Sequence, residues 1–146
     1  MWEDIKSRER AEASQLDGVP LALPALMRAF KLSKRAARVG FDFEHVGQTA
    51  DKVAEELLEV RDAAEPAAGA TNSAKIFEEI GDLLFAAANL ARKLDVDAEA
   101  ALRSANAKFE RRFRCMESLA VQRGEIFADM SLETQERLWR EVKRGE

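Results

Sequence analysis

Lys52-Val53-Ala54-Glu55-Glu56-Leu57-Leu58-Glu59-Val60 is followed, after a break containing Ala, Gly and Pro, by Lys75-Ile76-Phe77-Glu78-Glu79-Ile80-Gly81-Asp82-Leu83. The two stretches are one pattern written twice: Lys, aliphatic, any residue, Glu, Glu, aliphatic, any residue, acid, aliphatic. On a helix advancing about 100° per residue, Leu57 and Val60 fall within roughly 40° of Val53 and make an apolar stripe. Glu56 stands roughly 60° from the stripe centre and Glu59 roughly 120°, on the same side. In the second copy Ile76, Ile80, Leu83, Ala87 and Leu90 form the stripe, and Glu79 and Asp82 repeat the two offsets. The expectation is two helices that pack on their stripes, with an acid pair at i, i+3 bordering each buried face. Four carboxylates gathered there would repel, and some would be forced to protonate unless a divalent cation neutralised them.

Composition limits the alternatives. The chain has 146 residues, enough for one domain with a core of its own. Its first residues, Met1-Trp2-Glu3-Asp4-Ile5-Lys6, are charged, and no apolar run approaches the roughly 20 residues of a membrane span. A single cysteine, Cys115, cannot make an internal disulfide, so the expected setting is cytoplasmic. Cys115 itself is expected to be a small buried apolar residue. One histidine, His45, argues against a His-rich metal centre or a Ser-His-Asp triad, and it is given no role. A net charge of -4 argues against nucleic acid as the main partner.

Taken in order, residues 2–15 are polar with weak helical tendency, and Leu16-Asp17-Gly18-Val19-Pro20 reads as a turn. Pro24 suits the first position of a basic helix running through Val39, with Gly40 as its stop. Phe41-Asp42-Phe43 follows in a loop. Thr49 or Asp51 is expected to start the first acid helix, which ends near Ala64. Residues 65–72 form a loop, and Asn72 or Ser73 caps the second acid helix, which runs to about Lys93. Asp97 is the expected cap of a long helix from Ala98 to about Arg123, ended by Gly124. Ser131 caps a last helix, Leu132 to Lys143, that carries Trp139. No segment alternates like a strand, so the fold is expected to be all-α, an antiparallel helical bundle.

Carboxylate oxygens are hard donors that suit Mg²⁺ or Mn²⁺, and a di-iron bundle would use Glu-x-x-His pairs that this chain lacks. Mg²⁺ bound by a few carboxylates is commonly shared with a substrate's phosphates. Lys108 and Arg112, one turn apart on the long helix, are candidate phosphate ligands. The plainer readings stay open at this point. A lone Glu-x-x-Glu is usually a solvated face, Lys108 and Arg112 can pair with Glu110 or Glu117, Trp139 can be core, and the basic face of the helix after Pro24 can simply be solvated.

The ordered set of motifs resembles a known family. Gly18-Val19-Pro20, Ala22-Leu23-Pro24-Ala25-Leu26, Lys34 through Asp42, Glu55 through Glu59, Glu78 through Phe85, Asn89-Leu90-Ala91-Arg92, and Ala101-Leu102-Arg103 through Phe113 are similar to the C-terminal half of MazG, a nucleoside triphosphate pyrophosphohydrolase. The resemblance runs from about Trp2 to Lys143. Residues 1–20 resemble a lead-in segment and 21–146 the catalytic domain. It implies an all-α bundle that assembles as a homodimer or higher homo-oligomer, and Mg²⁺-dependent hydrolysis of nucleoside triphosphates to monophosphate and pyrophosphate. It implies Glu56, Glu59, Glu79 and Asp82 as metal ligands, with Glu55 and Glu56 as candidates for handling the attacking water. It implies nucleotide contacts at Lys52, Glu55, Lys75, Glu78, Lys108, Arg112 and Trp139, with Asn106 a further candidate. A non-catalytic nucleotide-binding or assembly module is the alternative; within the enzyme class a dUTP- or phosphoribosyl-ATP-directed relative, with similar metal acids, is a further one, and the basic and aromatic blocks favour MazG.

Overall fold

The computed structural model describes residues 1–65 and 72–146, apart from the side chains of Ser7, Arg10, Ala11 and Glu12. Most of the loop expected across 65–72 therefore lies outside the described residues. Among them the regular structure is entirely helical: α1 (Trp2–Glu12), α2 (Ala25–Ala37), α3 (Val46–Ala64), α4 (Ser73–Lys93), α5 (Ala98–Gln122) and α6 (Leu132–Arg144), with a short 3₁₀ turn at Phe127–Asp129. The all-α expectation is borne out. The chain divides into two compact units, Met1–Glu99 and Ala100–Glu146.

The helix ends follow local chemistry. Asn72 caps α4, its side chain accepting from the Lys75 N–H at 3.1 Å, and the Ser131 hydroxyl accepts from the Thr134 N–H at 3.2 Å. The expected start of α3, at Thr49 or Asp51, is three or five residues late: Gln48 reaches back to accept the His45 N–H at 3.0 Å, so the helix begins at Val46 and His45 is its N-cap. Pro24 stands at the N-cap of α2 rather than at its first helical position. That helix stops at Ala37, and the turn beyond it closes at Gly40, whose φ of +87° an L side chain rarely adopts.

In the first unit α4 packs against both α3 and α2. The α3–α4 pair is antiparallel: Glu56 meets Glu79 and Asp82, whereas Glu59, further along α3, acts on Lys75 at the start of α4. The packed faces are Thr49, Val53, Glu56, Val60 and Ala63 on α3, and Ile76, Glu79, Leu83, Ala86 and Leu90 on α4, all buried or half-buried. Both faces are rotated by roughly 45° from the apolar stripes, toward the acids. The expectation that the acids border a buried stripe is thus corrected. Glu56 and Glu79 sit within the packed face, while Leu57 and Ile80 are 48% and 40% exposed.

Because the two helices carry the same sequence pattern and run antiparallel, equal angular offsets fall on the same side of the pair. Glu59 and Asp82 share one side with Lys52 and Lys75. Leu57 and Ile80 share the other, with exposed Leu58, Phe77 and Leu84 continuing the apolar character. The rotation follows from side-chain size and pairing. Val53, Val60 and Ala63 are small enough to let the helices approach, and each inward glutamate brings its own lysine.

In the second unit Met116 and Ala120 of α5 and Leu138 of α6 are buried. An aromatic chain extends from them: Phe109 lies 5.9 Å from Phe113 and 5.7 Å from Trp139, and Phe113 meets the edge of Phe127 at 5.3 Å. Arg123 and Glu141 join α5 to α6 at 2.5 Å. Cys115 is exposed rather than buried, because it faces away from the Met116–Ala120 ridge that packs on α6.

Candidate active site

Three of the four acids expected to meet do so across α3 and α4. One carboxylate oxygen each from Glu56, Glu79 and Asp82 lie within 4.8 Å of one another. Glu56 and Glu79 are 8% and 5% exposed, and Asp82 stands at the exposed rim. Glu59 occupies the matching rim position on α3 but lies outside this three-residue group.

Each buried glutamate is neutralised by the lysine that opens its own repeat. Lys52 Nζ lies 2.8 Å from Glu56 and 3.1 Å from Glu55, and Lys75 Nζ lies 2.5 Å from Glu79. Both pairs are i, i+4 on one helix, which places the two side chains on the same face. The hydrogen bond to Glu56, reinforced by that to Glu55, pushes the Lys52 ammonium above its ordinary range, and the bond to Glu79 does the same for Lys75. Glu78 is exposed beside Lys75 and adds to that field. The Lys-x-x-Glu-Glu spacing carried this pairing openly, but the sequence reading assigned the lysines only to a ligand.

Three oxygen donors, two of them buried and all from carboxylates, form the set a hard divalent cation takes. Glu56, Glu79 and Asp82 therefore fit a hard divalent cation, which the three could hold together.

The nucleotide-contact candidates of the second unit are arranged among themselves. Arg112 makes a two-bond contact with Glu146, Nε to Oε1 at 3.0 Å and Nη2 to Oε2 at 2.7 Å, and its guanidinium lies 5.5 Å from the Trp139 ring centre. Its expected alternatives, Glu110 and Glu117, are not its partners; Glu110 is held by Arg114 at 2.7 Å. Lys108 and Asn106 are exposed, and Lys108 makes no ion pair among the described residues. Trp139 is half-buried between Phe109 and Arg112.

One feature beyond the acid cluster escaped the sequence reading. Asp42, in the loop after α2, is gripped from the end of α4 by Arg92 at 2.6 Å and Lys93 at 3.3 Å, and Lys93 also donates to the Phe43 carbonyl at 2.6 Å. Burial pushes the Asp42 carboxyl up, but the two cations outweigh it and hold the group below its ordinary value. The clamp brings the C-terminal ends of α2 and α4 together. A cavity of about 450 Å³ lies between them, walled by Leu32 and Ala36 of α2, Phe41 and Phe43 of the loop, and Phe85 and Asn89 of α4.

These features define a class of all-helical proteins in which two helices of repeated sequence bring carboxylates into one cluster. Residues 23–109 match the family model of phosphoribosyl-ATP pyrophosphohydrolase, and the chain belongs to that family. It is 51% identical to a nucleoside triphosphate pyrophosphohydrolase of Escherichia coli (strain K12), over 99% of this chain and 56% of that protein. It is 36% identical to the nucleoside triphosphate pyrophosphohydrolase/pyrophosphatase MazG of Thermotoga maritima, over 99% of this chain and 55% of that protein. Over the same share of this chain it is 46% identical to the uncharacterized protein YabN of Bacillus subtilis, covering 29% of that protein. The resemblance to MazG read from the motifs is borne out, and the chain spans about half the length of the first two relatives.

Proposed function

We propose that this chain hydrolyses nucleoside triphosphates to nucleoside monophosphate and pyrophosphate, with Mg²⁺ or Mn²⁺ held by Glu56, Glu59, Glu79 and Asp82. The observation that carries the proposal is the convergence of three carboxylates, two of them buried, from the two sequence repeats. The E. coli and T. maritima relatives, named as nucleoside triphosphate pyrophosphohydrolases, support the same reaction. A bound divalent cation would neutralise phosphate charge and lower the pKa of a coordinated water.

The chain's own residues do the rest. Lys52 holds Glu55 and Glu56 side by side, and one of these carboxylates orients the attacking water and takes its proton. A new P–O bond forms as the α–β bridging bond breaks, and pyrophosphate leaves with the bridging oxygen. Lys52 and Lys75, with Glu78 beside the latter, meet the triphosphate from the rim they already occupy. Lys108 and Arg112 offset charge on the phosphate oxygens, and Trp139 and Asn106 add contacts to the nucleotide. Residues 21–146 are the catalytic domain and 1–20 lead into it.

The exposed apolar side formed by Leu57, Leu58, Phe77, Ile80 and Leu84 lies opposite the acid rim, which supports a homodimer or higher homo-oligomer built on that side. No described helix is long and apolar enough to cross a membrane. A cytoplasmic setting, with no nucleic-acid partner, goes with a nucleotide substrate.

The test is a product analysis of the purified chain with common nucleoside triphosphates, with Mg²⁺ and with chelator. Monophosphate and pyrophosphate formed only with metal are expected. Diphosphate and phosphate would place the cleavage elsewhere. Nucleotide retained without turnover would leave a binding module.

A further inference from the structure

The cavity between α2 and α4 is not explained by the carboxylate chemistry, yet α4 joins the two. With Asp82 as reference, Phe85, Asn89 and Arg92 fall roughly 60°, 20° and 80° to one side of it around α4. Glu79, Leu83 and Ala86 fall on the other side, toward α3. Asp82 thus marks the seam between the acid cluster and the cavity. Phe85 is about 4.5 Å further along the axis and Asn89 about 10 Å, at 1.5 Å per residue. A base joined through its sugar to a phosphate at Asp82 spans that distance.

The lining also has one prepared polar group. Arg92 Nε donates to Asn89 Oδ1 at 3.0 Å, and Arg92 is itself fixed by Asp42 at 2.6 Å. A guanidinium can only donate, so this bond settles which end of the Asn89 amide is oxygen. The Nδ2 donor is left for the cavity, with no acceptor among the described residues. Around it the walls are mostly aromatic and aliphatic, the composition expected of a site for a flat heterocycle, and the other polar lining groups are paired, Ser33 to the Ala29 carbonyl and Asp42 to Arg92. Leu16 is held against the same cavity because Arg35 donates to the carbonyls of Gln15 and Asp17 at 3.3 and 3.1 Å. On α2, Arg28 lies one turn before Leu32 on the same face, and its buried Nε has no acceptor among the described residues.

We propose that the cavity walled by Leu32, Ala36, Phe41, Phe43 and Phe85 receives the nucleobase of the substrate, and that Asn89 Nδ2 donates to an acceptor on the base edge. The proposal rests on the nucleotide reading above and adds where the base is read. The Asp42–Arg92–Asn89 chain makes Asp42 and Arg92, which stand in the same cavity wall, positioning residues for the amide, because they set its direction.

The experiment is calorimetric titration of the full chain with each common ribonucleoside 5′-monophosphate, without metal, for the wild type, Ala36→Phe, Asn89→Asp and Asn89→Leu. Thermal melting and Mg²⁺ binding are measured in parallel. Ala36→Phe fills the cavity. Asn89→Asp keeps an oxygen for Arg92 and removes the donor, so it carries the test even if Ala36→Phe fails to fold. The expected result is a Kd raised tenfold or more in each folded variant, with Mg²⁺ affinity unchanged and Asn89→Asp melting as the wild type does. Unchanged Kd in Asn89→Asp and Asn89→Leu would overturn the assignment, and so would a wild type that binds none of the monophosphates. Turnover by the wild type with undiminished nucleotide binding in the variants would leave hydrolysis standing and remove the cavity. Cavity-dependent binding with no turnover would do the reverse.

Discussion

Lys75 holds Glu79 from one turn away on α4, its ammonium 2.5 Å from a carboxylate that is almost fully buried. Lys52 does the same for Glu56 on α3. A divalent cation must therefore share or displace a resident counter-charge. Lys75→Met should lower metal-free stability, because it leaves a buried carboxylate unpaired next to two others. The same change should tighten Mg²⁺ binding severalfold, since the competing ammonium is gone, while turnover falls. Melting in chelator and calorimetric Mg²⁺ titration read the two effects. Weaker Mg²⁺ binding in the variant would show that Lys75 helps the cation rather than competing with it.

The two rim acids separate chemistry from folding. Asp82 and Glu59 are exposed, so Asp82→Asn and Glu59→Gln should each change stability by no more than about 0.5 kcal/mol. Each should nevertheless weaken Mg²⁺ binding and reduce turnover at least a hundredfold. Glu59 is the sharper case, since it lies outside the converged group and has to turn inward to act as a ligand. Full activity in Glu59→Gln with intact metal affinity would limit the protein's contribution to Glu56, Glu79 and Asp82.

Much of this was legible in the sequence, for definite reasons. The repeated pattern selected Glu56, Glu79 and Asp82 because helical spacing alone puts i and i+3 on one face. Asn72 and Ser131 were readable as caps because their chemistry is local. The packed face itself was misread. Periodicity finds the most apolar side of a helix, and here that side holds Leu57 and Ile80, which are left exposed while Glu56 and Glu79 turn inward with their lysines. The Asp42–Arg92 contact could not be read from spacing, because the two residues meet only after α2 and α4 are brought together. The start of α3 is not marked by a Ser, Thr, Asp or Asn cap, because Gln48, a long side chain, reaches back to the His45 N–H and closes the first turn ahead of Thr49.

Asp42 gives a pH signature. Arg92 and Lys93 hold its carboxyl below the ordinary value of 3.8, against the opposing effect of burial. A lowered folded-state pKa contributes stability above the unfolded value, and that contribution is lost as pH falls through the folded one. Asp42→Asn should cost about 1–2 kcal/mol at neutral pH. The difference from wild type should stay level from about pH 7 to 5 and close below about pH 4. Denaturant melts across that range check it. A gap that persisted at pH 2 would mean the asparagine disturbs the loop by shape rather than by charge.

The apolar side of the α3–α4 pair has the most direct consequence for assembly. Leu58 and Leu84 are 56% and 53% exposed, and Phe77 is 85% exposed, on helices that also carry the acid cluster. A second copy covering this side would remove that surface from water at roughly 25 cal/mol per Å² of apolar area. It would leave the acid rim, which faces the other way, open to substrate. Leu84→Glu should therefore shift the protein toward monomer, because a carboxylate in the covered face would have no partner. Sedimentation velocity across a concentration series reads the change. If turnover falls with the oligomer while Mg²⁺ affinity per chain is retained, the partner copy contributes to nucleotide binding rather than to the metal ligands. If Leu84→Glu sediments as the wild type does, this side is not where the copies meet.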